Sequence, residues 1–129
     1  MRIGELARRA GVTVKAVRYY ESLGLLSAGR SANGYRDFDE VHLALVREVH
    51  HLGRLGIPAD ETRPFLDCIL TGNSRGDDCS ESLETYRATL ATLDDRIRDL
   101  TARRDRIATL LFAAGERSTP RCEFSTTTP

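Results

Sequence analysis

Apolar positions along the 129-residue chain fall into helical runs separated by glycine, proline or polar breaks. Ile3, Leu6, Ala7 and Ala10 recur three or four residues apart, the period of one helix face. Gly11 then offers a residue that adopts positive φ without cost, which predicts the end of a first short helix. Thr13 suits the N-cap of a second helix running to about Ser22. Packing Val14, Val17 and Leu23 inward leaves Lys15, Arg18 and Tyr19 facing outward, and Gly24 closes the element. Leu25 to Phe38 is short and turn-rich. Its Asn33-Gly34 pair fits a type I′ turn, where both central residues take positive φ, and predicts a small β-wing. Asp37 or Asp39 can cap a third helix carrying Val41, Leu45, Val49 and Leu52, with Leu43 and Val46 alongside, until Gly53, Gly56 and Pro58 break the pattern. A fourth, shorter helix follows from about Asp60 with Phe65, Leu66, Ile69 and Leu70. Pro64 lies in its first turn, where a missing N–H does no harm.

The polar stretch Thr71 to Asp78 reads as a hinge. Beyond it stands the longest regular pattern in the chain. Leu83, Tyr86, Leu90, Leu93, Ile97, Leu100, Arg104, Ile107 and Leu111 alternate steps of three and four, the a/d seam of a heptad repeat. Asp78 and Glu81 fit a capping box at its start. At about 1.5 Å per residue this helix extends on the order of 50 Å. So small a domain cannot cover such a stripe, and a second copy of the chain is the simplest partner. Arg104 interrupts the seam, either snorkelling or pairing with an acidic residue of the partner. The organisation expected is a helix-turn-helix DNA-binding domain with a wing at 1–70, a hinge loop at 71–79, a dimerisation helix at 80–114 and a flexible tail at 115–129. In the tail only Cys122 and Phe124 offer anchors.

Composition narrows the class. With no Trp and 6% aromatics, the core must come from Leu, Ile, Val and Ala, which favours a mainly α fold. No apolar run approaches the roughly 20 residues of a membrane span. Glu5, Arg8 and Arg9 interrupt any leader-like stretch, so the expected location is the cytoplasm. Charge is polarised. The first 36 residues hold seven basic and two acidic side chains, a net +5, and the rest of the chain sums to −5. A basic helix-turn-helix at one end of a neutral chain points to nucleic acid. Nothing points to an enzyme: His42, His50 and His51 have no nucleophile motif near them, and no phosphate-binding glycine loop is present.

The motifs Ile3-Gly4-Glu5-Leu6-Ala7, Val17-Arg18-Tyr19-Tyr20-Glu21, Gly24-Leu25-Leu26 and Asn33-Gly34-Tyr35-Arg36, in that order, are highly specific. Residues 1 to about 111 resemble the mercury-resistance-regulator (MerR) family of bacterial transcription factors. The resemblance implies a winged helix-turn-helix head and an antiparallel coiled-coil dimer. It implies promoter DNA as partner, RNA polymerase at that promoter, and activation by distorting over-spaced recognition elements. The DNA-facing set is then Thr13, Lys15, Arg18, Tyr19 and Tyr20 on the helix-turn-helix, with Tyr20 nearer the helix packing. From the wing come Arg30, Asn33, Gly34, Tyr35 and Arg36. Phosphate contacts give affinity and register, and base-edge contacts give sequence choice. Glu21 fits an orienting role rather than a contact. The dimer seam comprises Leu83, Tyr86, Leu90, Leu93, Ile97, Leu100, Ile107 and Leu111.

The odd count of Cys68, Cys79 and Cys122 rules out a complete intrachain disulfide framework, and a reducing cytosol favours thiols. Metal-sensing relatives implied by the resemblance hold one Cys before the long helix and a pair after it. Cys79 matches the first place, Ala114 stands where one of the pair is expected, and Cys122 can match the other. A soft metal ion shared by Cys79 of one subunit and Cys122 of the other is one reading, although two thiolates are few for zinc. Thiol sensing is another. The start of a helix lowers the pKa of Cys79, and Asp77, Asp78 and Glu81 oppose that. Cys68, among Phe65, Leu66 and Ile69, reads as a small buried apolar residue. Were it close to Cys79, oxidation would link the two and move the hinge. A third reading gives the cysteines no sensing role. The function expected is a homodimeric regulator binding a pseudo-palindromic promoter. An architectural, excisionase-like DNA-bending protein and a coiled-coil adaptor are the alternatives.

Overall fold

The computed structural model describes residues 1–30 and 32–118. It is mainly helical, in the order α1 (Ile3–Ala10), α2 (Val14–Ser22), β1 (Gly29–Arg30), β2 (Arg36–Asp37), α3 (Glu40–Arg54), a 3-10 turn (Ala59–Glu61), α4 (Arg63–Leu70) and α5 (Ser80–Arg117). Among the described residues no helix is long and apolar enough to cross a membrane. Packing divides the chain into two units, Met1–Thr89 and Leu90–Pro129.

The short helices of the first unit are fixed by local chemistry. Gly11 ends α1 in the left-handed region at φ 73°, and its N–H returns to the α1 carbonyls. The Thr13 hydroxyl accepts from the Ala16 N–H at 3.0 Å and caps α2. Asp39 caps α3, its Oδ1 accepting from the Val41 and His42 N–H groups. His42 completes a capping box, its Nδ1 accepting from the Asp39 N–H at 3.0 Å while Nε2 faces the Ser27 carbonyl. The His42 N–H leads the interactions that hold the Asp39 carboxyl below its ordinary 3.8. The fourth helix begins at Arg63 rather than Asp60, because residues 59–61 close a 3-10 turn first, and Pro64 occupies its first turn.

Leu6, Val17, Leu26, Phe38, Val46 and Leu66 sit in one buried core shared by α1 to α4. A second cluster joins Leu52, Ile57 and Phe65. Val41 is turned away from this core and is half exposed.

Three further expectations are corrected. The wing is not a two-residue type I′ hairpin. Gly29 pairs with Asp37 and Arg30 with Arg36, so five residues connect the strands, and no described non-glycine residue has positive φ. Of the described residues between the two strands, Gly34 alone does, at 85°. The Asp78–Glu81 capping box does not form with Asp78 as cap. Asp78 Oδ2 instead accepts from the Arg75 N–H at 3.0 Å, upstream in the same loop. Tyr86 does not belong to an open seam. Its ring packs on Phe65 at 5.1 Å between centroids, and its hydroxyl donates to Asp77 Oδ2 at 3.0 Å.

Segment 71–79, read as a hinge, is packed onto the head. A Cβ on Gly76 would lie 3.1 Å from both Phe65 Cβ and the Phe65 carbonyl oxygen, so only glycine fits without a shift. The buried Ser82 hydroxyl donates to the Gly76 carbonyl. The opening turns of α5 are therefore part of the first unit. In the second unit α5 runs to Arg117, with Arg98–Asp95 and Arg103–Asp99 pairs along its surface. Leu90, Leu93, Ile97, Leu100, Ile107 and Leu111 are 37–72% exposed in the single chain, as are Leu110 and Phe112 beside them. Arg104 pairs with Asp105 of its own helix. Residues 119–129, with the expected tail anchors Cys122 and Phe124, lie outside the described residues.

Candidate nucleic-acid interface and cysteine pair

Helix α2 presents two faces. Val17 is fully buried and Tyr20 is 9% exposed, while Lys15, Arg18 and Tyr19 are exposed on the other side. This split follows from the 3.6-residue period acting on the sequence VKAVRYYES. Tyr20, named with the DNA-facing set but expected nearer the helix packing, is a core residue, and burial raises its phenol pKa. Thr13 is exposed at the helix start, with its hydroxyl engaged as the cap.

The end of α2 is held from outside. Arg63, the first residue of α4, sends Nη2 to the Gly24 carbonyl at 2.9 Å and the Leu23 carbonyl at 3.4 Å. A cation on the terminal carbonyls also complements the negative end of the helix dipole.

On the wing, Tyr35 is 53% exposed, and the Arg2 guanidinium stacks over its ring at 3.9 Å. In the sequence, Arg2 is one of the seven basic residues of the first 36. Its stacking places a cation beside the wing, and no sequence signal links residues 2 and 35. The wing's base is tied down by the Phe38 N–H donating to the Met1 carbonyl at 2.7 Å. Asn33 and Gly34 are exposed at the tip. The side chains of Arg30 and Arg36 lie outside the described residues, as does Ser31. Not every head cation faces outward for binding. Arg9 makes a two-pronged pair with Glu40, at 2.9 and 3.2 Å, and so joins α1 to α3.

Cys68 and Cys79 are not the separate thiols that a reducing compartment suggested. They form a disulfide, with Cα atoms 5.9 Å apart, within the ordinary bridging range. Packing of α4 against the start of α5 brings the two together. Cys68 is buried and Cys79 half-buried. Asn73 bridges the junction, its amide donating to the Cys68 carbonyl at 3.0 Å and reaching Cys79 Sγ at 3.5 Å. A cleft of about 300 Å³ opens beside the bond, lined by Arg63, Pro64, Asp67, Cys68, Cys79 and Glu81.

These residues do not compose a metal site as they stand. The Cys79 sulfur is already bonded, and no group of three or more His, Cys, Asp or Glu side chains gathers among the described residues. Ala114 occupies the place of one thiolate expected after the long helix, and Cys122 lies outside the described residues.

The arrangement of capped α2, wing and long helix agrees with comparisons to known proteins. Residues 2–38 match the model of the MerR family regulatory protein. The HTH-type transcriptional regulator HmrR of Rhizobium leguminosarum bv. viciae is 31% identical over 122 residues, covering 95% of this chain and 92% of that protein. The chain belongs to the MerR family. It is a transcriptional regulator with a mainly α fold, a helix-turn-helix head and a long C-terminal helix. Among solved structures, it is similar to the transcription regulator PbrR691 from Ralstonia metallidurans CH34, determined in complex with lead(II). That match has TM-score 0.65 and 29% identity, over 85% of this chain and 84% of that one. HiNmlR, a MerR family regulator lacking the sensor domain and solved bound to promoter DNA, shares the fold. The match has TM-score 0.55 and 23% identity, over 81% and 78% of the two chains.

Proposed function

We propose that this MerR family member binds a pseudo-palindromic promoter as a homodimer, distorts it to control transcription together with RNA polymerase, and answers a thiol-directed signal. The observation that carries the DNA reading is α2. Its apolar face is fully engaged, its terminal carbonyls are held by Arg63, and it leaves Lys15, Arg18 and Tyr19 outward. A rigid helix with an exposed basic side is what a major groove admits. Arg2 and Tyr35 supply flanking phosphate contacts from the wing. The dimer reading rests on the stripe Leu90, Leu93, Ile97, Leu100, Ile107 and Leu111, with Leu83 at its start. A heptad stripe left open in one chain is covered by a second copy at the cost of no new element. Two heads at a fixed separation then read two half-sites.

Selection from a random duplex pool tests this reading. The parent should enrich an inverted repeat, and Lys15→Ala and Arg18→Ala should each lose affinity for it in a mobility shift. Enrichment of no sequence by the parent would overturn the proposal.

The signal is narrower than the cysteine count suggested. PbrR691 was solved with lead(II), and the corresponding reading here uses Cys79 and Cys122. Cys79 serves that reading only as a thiolate, which the bond to Cys68 precludes. Thiol–disulfide chemistry at Cys79 therefore comes before any soft-metal chemistry there.

A further inference from the structure

We infer that Cys68 and Cys79 form a reversible redox site that exchanges with a low-molecular-weight zwitterionic thiol in the adjoining cleft, and that Arg63 passes its state to the recognition helix. The inference rests on the DNA-binding reading of α2 given above.

Geometry supplies both halves. The disulfide joins the second turn of α4 to the residue preceding α5. Arg63, five residues before Cys68 on the same helix, holds the carbonyls that end α2. One short helix therefore has the redox bond near one end and the recognition helix at the other. The bond also fronts the cleft, which carries one cation, Arg63, and two carboxylates, Asp67 and Glu81. A small thiol bearing both an ammonium and carboxylates complements that mixed lining. A folded protein's thiol would have to enter a recess whose Cys68 wall is only 2% exposed.

The exchange balances as follows. A thiolate attacks Sγ of Cys79, the more accessible sulfur. The Cys68–Cys79 bond breaks, Cys79 carries the mixed disulfide, and Cys68 leaves as thiolate and takes a proton. A second thiolate attacks the small molecule's sulfur in that mixed disulfide. Cys79 leaves as thiolate beside the Asn73 amide and takes a proton, and the small-molecule disulfide departs. Two electrons and two protons pass from two external thiols to the pair. The reverse reaction, driven by the external disulfide, restores the bond without another oxidant. Reduction releases the covalent tie between α4 and the start of α5. Arg63 then holds α2 less firmly, so DNA affinity falls.

Full-length protein, with a chelator present, would be equilibrated across reduced-to-oxidised glutathione ratios. Alkylation with peptide mapping reads Cys68 and Cys79 separately from Cys122, while the Kd for the selected duplex is read in parallel. The two cysteines should gain alkyl groups together, and Kd should rise about tenfold over the same ratios, a typical coupling between sites. Cys68→Ser should hold Kd at the reduced value at every ratio. Arg63→Gln should bind DNA more weakly when oxidised and lose the redox dependence. Circular dichroism checks that both variants fold, and the parent titration decides the matter where one does not. A pair that titrates while Kd stays flat overturns the coupling. A pair inert to glutathione, or one opened only by a protein dithiol, overturns the site. Failure of the parent to bind any duplex in either state sinks the DNA reading instead, and the alkylation profile still reports on the pair.

Discussion

Asp77 shows how much one side chain holds in place at the junction of loop and long helix. Its Oδ1 accepts from Arg75 Nε at 2.8 Å, and its Oδ2 from Arg75 Nη2 and the Tyr86 hydroxyl at 3.0 Å. The Arg75 hydrogen bonds, above all, pull its carboxyl pKa from the ordinary 3.8 to about 2. A depressed acid stabilises the fold above its unfolded pKa and loses that contribution as pH falls through the folded one. The window here is about pH 4 to 2. Asp77→Asn should therefore be less stable than the parent at pH 5, by up to about 2 kcal/mol, and most of that gap should be gone by about pH 2 in parallel denaturant titrations. Glu48 lines a separate recess together with Arg75, Asp77 and Tyr86, and burial raises its carboxyl pKa, so it acts in the opposite sense. Only the difference between parent and variant isolates Asp77. On α2, truncating Arg18 should weaken DNA binding by about 1–3 kcal/mol and relax the sequence preference at one position if it meets a base edge. If it meets only phosphate, binding should fall evenly across sequences and the salt slope should drop by about one. The outward place of Arg18 was legible because helical period alone assigns it. The role of Asp77 was not, because its partner Tyr86 is nine residues away, across a turn that no local pattern specifies.

At the level of elements, legibility follows the range of the interactions. Gly11 as terminator and Thr13 and Asp39 as caps act within a few residues, so sequence reveals them. Thr13→Ala should cost about 1 kcal/mol in thermal or chemical unfolding, with DNA binding weakened in step as α2 frays at its start. The wing departs from its local signal for the opposite reason. Asn33-Gly34 is a strong local signal for a two-residue turn, but the register is set by the Arg30–Arg36 pair and by Phe38, whose side chain is buried and whose N–H reaches Met1. These tertiary anchors place the strands, and five residues must then span the gap. The Cys68–Cys79 bond was open to sequence only as a conditional, since it requires α4 to meet the start of α5. Phe65 against Tyr86, and Gly76 against Phe65, bring them together. The bond closes a loop with sequence separation 11, for which chain entropy gives roughly 3 kcal/mol. Cys79→Ser should lower oxidised-state stability by about that amount in chemical denaturation, and should match the parent once the parent is reduced.

For the molecule as a whole, under the proposed dimer, the heptad stripe decides whether two heads act together. Fully covering an exposed Leu or Ile contributes up to roughly 1.5–3 kcal/mol, so in the proposed dimer the six from Leu90 to Leu111 are the main term set against the cost of association. Tyr86 leaves the seam because its ring has a better partner inside the head. The interface should therefore be centred further along α5, near Ile97 and Leu100. On the dimer reading, Ile97→Glu puts a charge where the two helices would meet, and since Ile97 belongs to the second unit, the Met1–Thr89 head should keep its own unfolding transition. Sedimentation should show the mass halved. The DNA readout then separates two cases that mass alone cannot. If both heads bind in the dimer, the slope of log affinity against log salt counts the phosphates met by two copies. Ile97→Glu should roughly halve that slope, along with a loss of affinity larger than any single-contact variant produces, because the second head no longer arrives at a raised effective concentration. A halved mass with slope and affinity unchanged would mean that each head binds alone and α5 serves another purpose. An unchanged mass would mean that the stripe meets its partner elsewhere.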